Sequence, residues 1–188
     1  PQSSPTQLEG GDPIGQDASQ NRKVEVLLVA VHNDELSQLQ SVIAGANLSA
    51  SFYEIEIFST IRATVDEPVK PVMILDVGAA STKTYVIEHG VVALSHSISI
   101  GSQDITRAIS VSGNLSIARA EVLKKEEGLG QGALGSSELI FSRIFSEARR
   151  VLIQYETAHK KSVTSIVLTG GGGVTKELGA YAKSVFSI

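Results

Sequence analysis

The sequence predicts an α/β fold, and three observations carry the prediction. Apolar segments at Val72–Leu75, Thr82–Glu88 and Val91–Ile98 follow one another with only tight turns between, the pattern of a three-stranded meander. From about Ser137 to Lys160, Phe141, Ile144, Phe145, Ala148, Leu152 and Tyr155 fall on one helical stripe. A short strand, Ser165–Leu168, then runs into Thr169 and a row of glycines, with a last helix expected over Thr175–Val185. Strands joined this tightly, with helices long enough to cover them, imply a layered core.

The other elements follow in chain order. Residues 1–22 are rich in Pro, Gly, Ser, Gln and Asp and cannot offset their own ordering entropy, so they read as a flexible loop or tail. Val24–Val31 is a nearly continuous apolar run, expected as a strand covered on both faces. Asn33 or Asp34 then caps a helix with Leu36, Leu39, Val42, Ile43 and Ala46 at helical spacing. Ser51–Ile57 alternates enough to predict a second strand, running into a short helix that reaches Arg62–Ala63. Asp66–Pro71, with two prolines and three charges, marks a boundary between a segment 23–65 and a segment 66–188. In the second segment Val72–Leu75 ends in Asp76, Gly78–Ser81 turns the chain, and His89–Gly90 turns it again. Helices follow at about Ser102–Ser112 and Ser116–Glu127, and a glycine-spaced loop runs from Gly128 to Gly135. On the long helix, Arg143 and Glu147, and Glu156 and Lys160, stand four apart on the polar side.

Composition narrows the function. With 42% apolar residues the 188-residue chain has material for a real, mostly aliphatic core. It has no cysteine, so neither a disulfide framework nor a thiolate zinc site is available, which fits a reducing compartment. A net charge of −4 gives no reason to expect nucleic acid. No apolar run approaches the roughly 20 residues of a membrane span. The N-terminus lacks the basic-then-apolar order of a signal peptide, and any link to a membrane is expected through a partner.

Two segments carry candidate chemistry. Asp76-Val77-Gly78-Ala79-Ala80-Ser81-Thr82 places an acid at the end of a buried strand and small residues at a hairpin tip. Such a tip lets backbone N–H groups approach phosphate oxygens, Ser or Thr adds hydroxyls, and the Asp suits Mg²⁺ held through water. The same residues also make an ordinary hairpin. Ile166–Gly173, a strand feeding a glycine loop and then a helix, is compatible with a nucleotide, and equally with a plain loop. It is no Walker loop, since Lys176 is not preceded by glycine, and no ribose-binding acid follows as in a Rossmann unit. Glu121 and Lys124 share a helix face and suit a ribose and purine, or a solvated ion pair. His32, His89, His96 and His159 are scattered without a ligand spacing, and Ser81 and Ser102 lack a G-x-S-x-G setting.

The order of these motifs is more specific than any one of them. DVGAAST, SISIGSQDIT, AEVLK and LTGGGG, in that order, resemble the actin-like ATPase superfamily, whose lobes are RNase H-like with a mixed sheet flanked by helices. Within it the chain is similar to the PilM family of type IV pilus assembly proteins, related to the cell-division protein FtsA. That family reads DIGASxT, IPVGGxxLT, AExLK and LTGGG in the same order. The stretch from Val24 to Ala63 resembles the end of its small inserted subdomain and its interdomain helix, so the likeness runs from about Val24 to the end.

By this resemblance Asp76 would face Mg²⁺ through water, and Gly78, Ser81 and Thr82 would contact phosphate. Glu121 and Lys124 would meet the ribose and purine, Gly170, Gly171 and Gly172 would border the adenosine, and Glu56 would flank the phosphates. The resemblance implies ATP and Mg²⁺ as ligands and a cytoplasmic location, peripheral at the inner membrane. It also implies docking of the cytoplasmic tail of a PilN-like inner-membrane protein. Gly101-Ser102 departs from the family's paired glycines. The first phosphate hairpin and the last strand and helix are not found, so a fragment with weak nucleotide binding and negligible hydrolysis is expected. Edges left exposed in this way would open a route to homo-oligomers. Two alternatives stand beside this reading. One is a nucleotide-independent interaction module of a secretion or cell-division complex. The other is a sugar or carboxylate kinase, whose catalytic base and substrate pocket are not evident.

Overall fold

The structure, a computed structural model, describes residues 28–66, 69–129 and 135–188. The chain divides into two compact units, Pro1–Asn47 and Leu48–Ile188. Among the described residues of the first unit there is one helix, α1 (Asn33–Gly45), with Leu36 and Ile43 half-buried and Leu39 and Val42 exposed. Its N-cap is His32, whose carbonyl accepts from Glu35 and Leu36, in place of the expected Asn33 or Asp34. The strand expected over Val24–Val31 lies partly outside the described residues. Its described part, Leu28–Val31, is irregular and exposed, and no strand is found among the described residues of that unit.

The second unit holds α2 (Glu56–Thr64), β1 (Val72–Val77), β2 (Thr82–Glu88), β3 (Val91–Ile98), α3 (Ser102–Gly113), α4 (Ile117–Glu127), α5 (Ser136–His159), β4 (Ser165–Thr169) and α6 (Leu178–Phe186). The sheet order is β3-β2-β1-β4, with β1 antiparallel to β2 and parallel to β4. Its two faces are covered unequally. Met73, Leu75 and Val77 pack with residues of α3, α5 and α6, whereas Ile74 and Ile87 pack with Ile57 and Ile61 of α2. Burial of β1 on both faces is why Val72–Leu75 reads as an unbroken apolar run rather than an alternating one.

Turn chemistry sets the register. His89 and Gly90 both take positive φ, 52° and 77°, the backbone of a type I′ hairpin that matches strand twist. Farther along, Val86 pairs with Leu94 and Ile87 with Val92, leaving Ala93 as an extra residue. This bulge reverses the facing of β3, so Leu94 packs in the α5 core and Val92 on the α2 side.

The stripe on α5 is buried as its spacing predicts: Phe141, Ile144, Phe145, Ala148, Leu152 and Tyr155 are all inside, joined by Val151. At its C-terminal end the Tyr155 hydroxyl donates to Glu88 Oε2 at 2.6 Å, and Lys161 pairs with the same carboxylate, tying the helix to β2. The expected four-apart pairs do not form. Glu147 takes Arg150 instead of Arg143, and Glu156 accepts from the backbone N–H of Val163 at 2.9 Å. A buried backbone donor outcompetes a solvated lysine for that carboxylate.

Ser51–Ile57 is not a strand. Ile55, Ile57, Phe58, Ile61 and Val65 line one side of the α2 region, so their period belongs to a helix that begins at Glu56. Most of the glycine-spaced loop, residues 130–134, lies outside the described residues. Phe145 has no exposed surface and its ring lies 5.3–6.1 Å from those of Phe141, Tyr181 and Phe186. Phe145→Ala is expected to lower stability by about 3–5 kcal/mol, read as a shifted urea midpoint at unchanged slope.

Candidate functional site

The C-terminal end of β1 gathers three segments distant in sequence. At the hairpin, Gly78 N–H donates to Ser81 O at 3.0 Å. The first amides of α3 close onto the same turn: Ser102 N–H donates to Gly78 O and Gln103 N–H to Ala79 O, both at 2.9 Å. This approach requires glycine at 101, where a Cβ would stand 2.4 Å from Ala79 O. Ser102 serves at the next position, since only its backbone is used there. Thr82 is fully buried and donates its hydroxyl to Ile100 O at 2.8 Å, so that group holds the hairpin to the start of α3 and faces inward. Ser81 is half-buried with no side-chain hydrogen bond among the described residues, and the amides of Ala79 and Ala80 at the exposed tip donate to no carbonyl there.

The glycine loop folds over the same strand end, where Asp76 of β1 pairs with Thr169 of β4. Gly170 has φ +79°, and a Cβ on it would lie 2.4 Å from Asp76 Oδ1 and 2.6 Å from Val77 O. Gly172 N–H donates to Val77 O at 2.8 Å, and its own Cβ would meet Val77 Cγ1 at 2.4 Å. Gly170 and Gly172 are thus required by the loop's packing, while Gly171 has nothing within 4 Å. The helix expected at Thr175 begins at Leu178. Turns intervene, locked by Thr175 Oγ1 donating to Gly172 O at 2.7 Å and by Glu177 at φ 70°. No helix N-terminus therefore follows the glycines directly, so a helix dipole is not what an anion would meet here.

Glu121 and Lys124 belong to one network. Lys124, almost wholly buried, donates to Glu121 Oε2 at 2.7 Å, Thr106 Oγ1 at 2.9 Å and Ser102 O at 3.2 Å, which uses all three ammonium protons. Thr106 Oγ1 donates to Glu121 Oε2 at 2.6 Å, and Lys125 lies 3.4 Å from Glu121 Oε1. Burial disfavours the charge on Glu121, but the hydrogen bonds from Lys124 and Thr106 outweigh it and hold the pKa down to about 2. Lys124 is thereby an internal strut between α3 and α4.

Between this network and the glycine loop lies a cavity of about 430 Å³, lined by Ser102, Glu121, Lys124, Gly171, Thr175 and Lys176 among others. Its volume suits a nucleoside-sized ligand. Lys125 also lines it, and neither Lys125 nor Lys176 stands out in the sequence. Lys176 Nζ donates to Glu126 O at 2.7 Å, and Leu129 N–H donates to Lys176 O at 3.2 Å, clasping the loop to the end of α4. The sequence signal for that clasp is Gly128, whose φ of +65° and contact with Lys176 exclude a side chain.

On the α2 side of the sheet stand Asp76, Lys83, Tyr85 and Glu56. Asp76 and Lys83 are direct ladder partners, and Lys83 Nζ is hydrogen-bonded to Glu56 Oε1. Partial burial raises the Asp76 pKa, repulsion by Glu56 adds to it, and Lys83 acts in the opposite sense. The hydrogen bond to Glu56 raises the pKa of Lys83. Both carboxylates are hard-oxygen donors of the kind magnesium takes, and Glu56 is the one that the Lys83 ammonium already occupies. Asp76 is then the carboxylate that would face a magnesium ion through water.

The family model described as type IV pilus assembly protein PilM matches residues 12–187. No curated protein matches the sequence. Among solved structures, a chain of the PilM-PilN type IV pilus biogenesis complex is 20% identical with a TM-score of 0.67, over 81% of this chain and 45% of that one. MreB5 of Spiroplasma citri bound to AMPPNP is 20% identical with a TM-score of 0.57, over 84% and 59%. An archaeal actin homolog is 19% identical with a TM-score of 0.52, over 69% and 44%. At such identities the likeness shows the fold, which is the actin-like, RNase H-like α/β arrangement expected from the motifs. The chain spans about half the length of the solved structures it resembles.

Gly170→Ala is expected to cost more than about 1 kcal/mol through positive φ and the contact with Asp76, whereas Gly171→Ala leaves the melting temperature unchanged. Glu121 has a folded pKa below its ordinary 4.5, so its contribution to stability is complete above that value and is lost as pH falls towards 2. Acid unfolding curves are therefore expected to fall more steeply between pH 5 and 2 for the wild type than for Glu121→Gln, as ~pH 5 lies above both pKa values.

Proposed function

The chain belongs to the PilM family of type IV pilus assembly proteins, and on that premise we propose that it is a nucleotide-binding scaffold of a pilus assembly machine. The observation that carries the nucleotide half is the cavity where Glu121, Lys124 and Gly171 meet, beside the open tip of the Ala79–Ser81 hairpin. The ribose and purine enter that cavity. Glu121, oriented by Lys124 and Thr106, accepts from ribose hydroxyls, and Gly171 lies flat against the adenosine. Gly170 and Gly172 border it by shaping the loop. Phosphate oxygens take the amides of Ala79 and Ala80 and the hydroxyl of Ser81, with Gly78 permitting the turn and Thr82 anchoring it. The AMPPNP bound to MreB5, a protein of the same fold, supports this ligand class.

The scaffold half rests on the family and on the PilM–PilN complex among the similar structures. We extend it to docking the cytoplasmic tail of a PilN-like inner-membrane protein, which places the chain in the cytoplasm at the membrane surface. No helix among the described residues is long and apolar enough to cross a membrane. A second reading, a nucleotide-independent interaction module, is favoured by one observation: Lys124 and Thr82 are fully satisfied without any ligand.

Titration with a fluorescent ADP decides between them. Saturable binding is expected, weakened at least about tenfold (a loss of ~1.4 kcal/mol) by Gly171→Leu, which fills the cavity while leaving the melting temperature in place. Absence of binding at millimolar ADP would establish the interaction module instead.

A further inference from the structure

Ser102, the first residue of α3, stands between the two halves of the candidate site. Its N–H donates to Gly78 O at 2.9 Å, and its carbonyl accepts from Lys124 Nζ at 3.2 Å. Lys124 in turn holds Glu121 at 2.7 Å. Ser102 is therefore fixed between the hairpin and the carboxylate, and it lines the cavity beside them. Its backbone is spent on this framework. The side chain is half-buried, and its hydroxyl makes no hydrogen bond among the described residues. The chain carries this serine where the PilM pattern has a second glycine, and packing allows it: the Cβ that would strike Ala79 O belongs to position 101.

We propose that Ser102 is a specificity-determining residue of the nucleotide site: its hydroxyl donates to the first phosphate, so the chain favours a phosphorylated nucleoside over the bare one. With the ribose at Glu121 and the phosphates at the Ala79–Ser81 tip, the bond that joins sugar to phosphate passes Ser102. Other donors near the seam are already engaged. Lys124 and Lys125 lie against Glu121, and Lys176 donates to Glu126 O. The first amides of α3 are committed as well, Ser102 and Gln103 to the hairpin and Asp104 to Gly101 O at 3.1 Å. An anion at the seam is thus met by the hydroxyl and not by the helix N-terminus. A serine hydroxyl rotates to suit its acceptor, and a bond to a charged oxygen is stronger than one to a neutral oxygen.

The inference rests on the nucleotide reading, and the test separates the two. Adenosine, AMP and ADP are made to displace fluorescent ADP from the full chain, wild type and Ser102 variants alike. Ser102→Ala removes the hydroxyl alone. It is expected to weaken AMP and ADP by the same factor, at least about tenfold (~1.4 kcal/mol), because the contact is to the phosphate they share. Adenosine is expected to change by less than about twofold, and the melting temperature to stay in place. Ser102→Thr keeps the hydroxyl and is expected to hold ADP within about threefold of the wild type. Unchanged ADP binding in Ser102→Ala overturns the proposal, as does a loss that adenosine shares or that AMP does not. Tighter ADP binding by Ser102→Gly also overturns it, since that is the behaviour of a side chain that only narrows the cavity. A wild type that binds no ADP refutes the nucleotide reading itself, and the proposal falls with it.

Discussion

The close approach of the glycine loop to the end of β1 is the constraint on which the rest of the site depends. Gly172 N–H reaches Val77 O at 2.8 Å, and Gly170 passes so near Asp76 that no side chain fits. With the loop seated there, Gly171 is left facing open space, and Thr175 and Lys176 are carried across to the end of α4. The parallel pairing of β1 with β4 supplies the platform, since it sets Thr169 beside Asp76. The site is in this sense a consequence of strand order: the one parallel pair in the sheet brings two segments almost a hundred residues apart to a common end.

Around that junction the polar groups divide into those spent on the fold and those left open. Thr82 and Lys124 point inward, each with its hydrogen bonds satisfied by the protein. A buried ammonium is tolerable only when every proton is accepted and a carboxylate stands beside it, which is what Glu121, Thr106 and Ser102 provide. Ser81, the hairpin-tip amides and Gly171 have no such internal claims. Packing rigidity supports this division. The aromatic group of Phe141, Phe145, Tyr181 and Phe186 joins α5 to α6 on one face, and the isoleucines of α2 clamp the other. Glu56 is thus held on a rigid element near the sheet's functional end.

Much of this was legible in the residues before any coordinates. β2 and β3 fall where period and turn residues place them, and the α5 stripe is buried residue for residue. These elements are determined by local chemistry: a type I′ turn at His89–Gly90, and apolar spacing that only one helix face can bury. The failures share a cause. Ser51–Ile55 has strand-like composition, but a strand exists only with a partner, and pairing is not a property of a short segment. The bulge at Ala93, which sends Val92 and Leu94 to opposite faces, is invisible for the same reason.

At the site the same boundary applies. The sequence by itself determined that an acid ends a buried strand, that glycines follow another, and that the motifs stand in the order of an actin-like lobe. Tertiary structure decided what each residue does with its hydrogen bonds. Lys124 turns from a ligand group into a strut, Thr82 from a phosphate contact into an anchor, and Lys125 and Lys176 come to line the cavity. Strand register sets Lys83 opposite Asp76, and helix packing brings Glu56 to its ammonium. The physical reason is that a hydrogen bond or an ion pair depends on distances of a few ångströms between segments remote in sequence, and only the packed chain sets those distances.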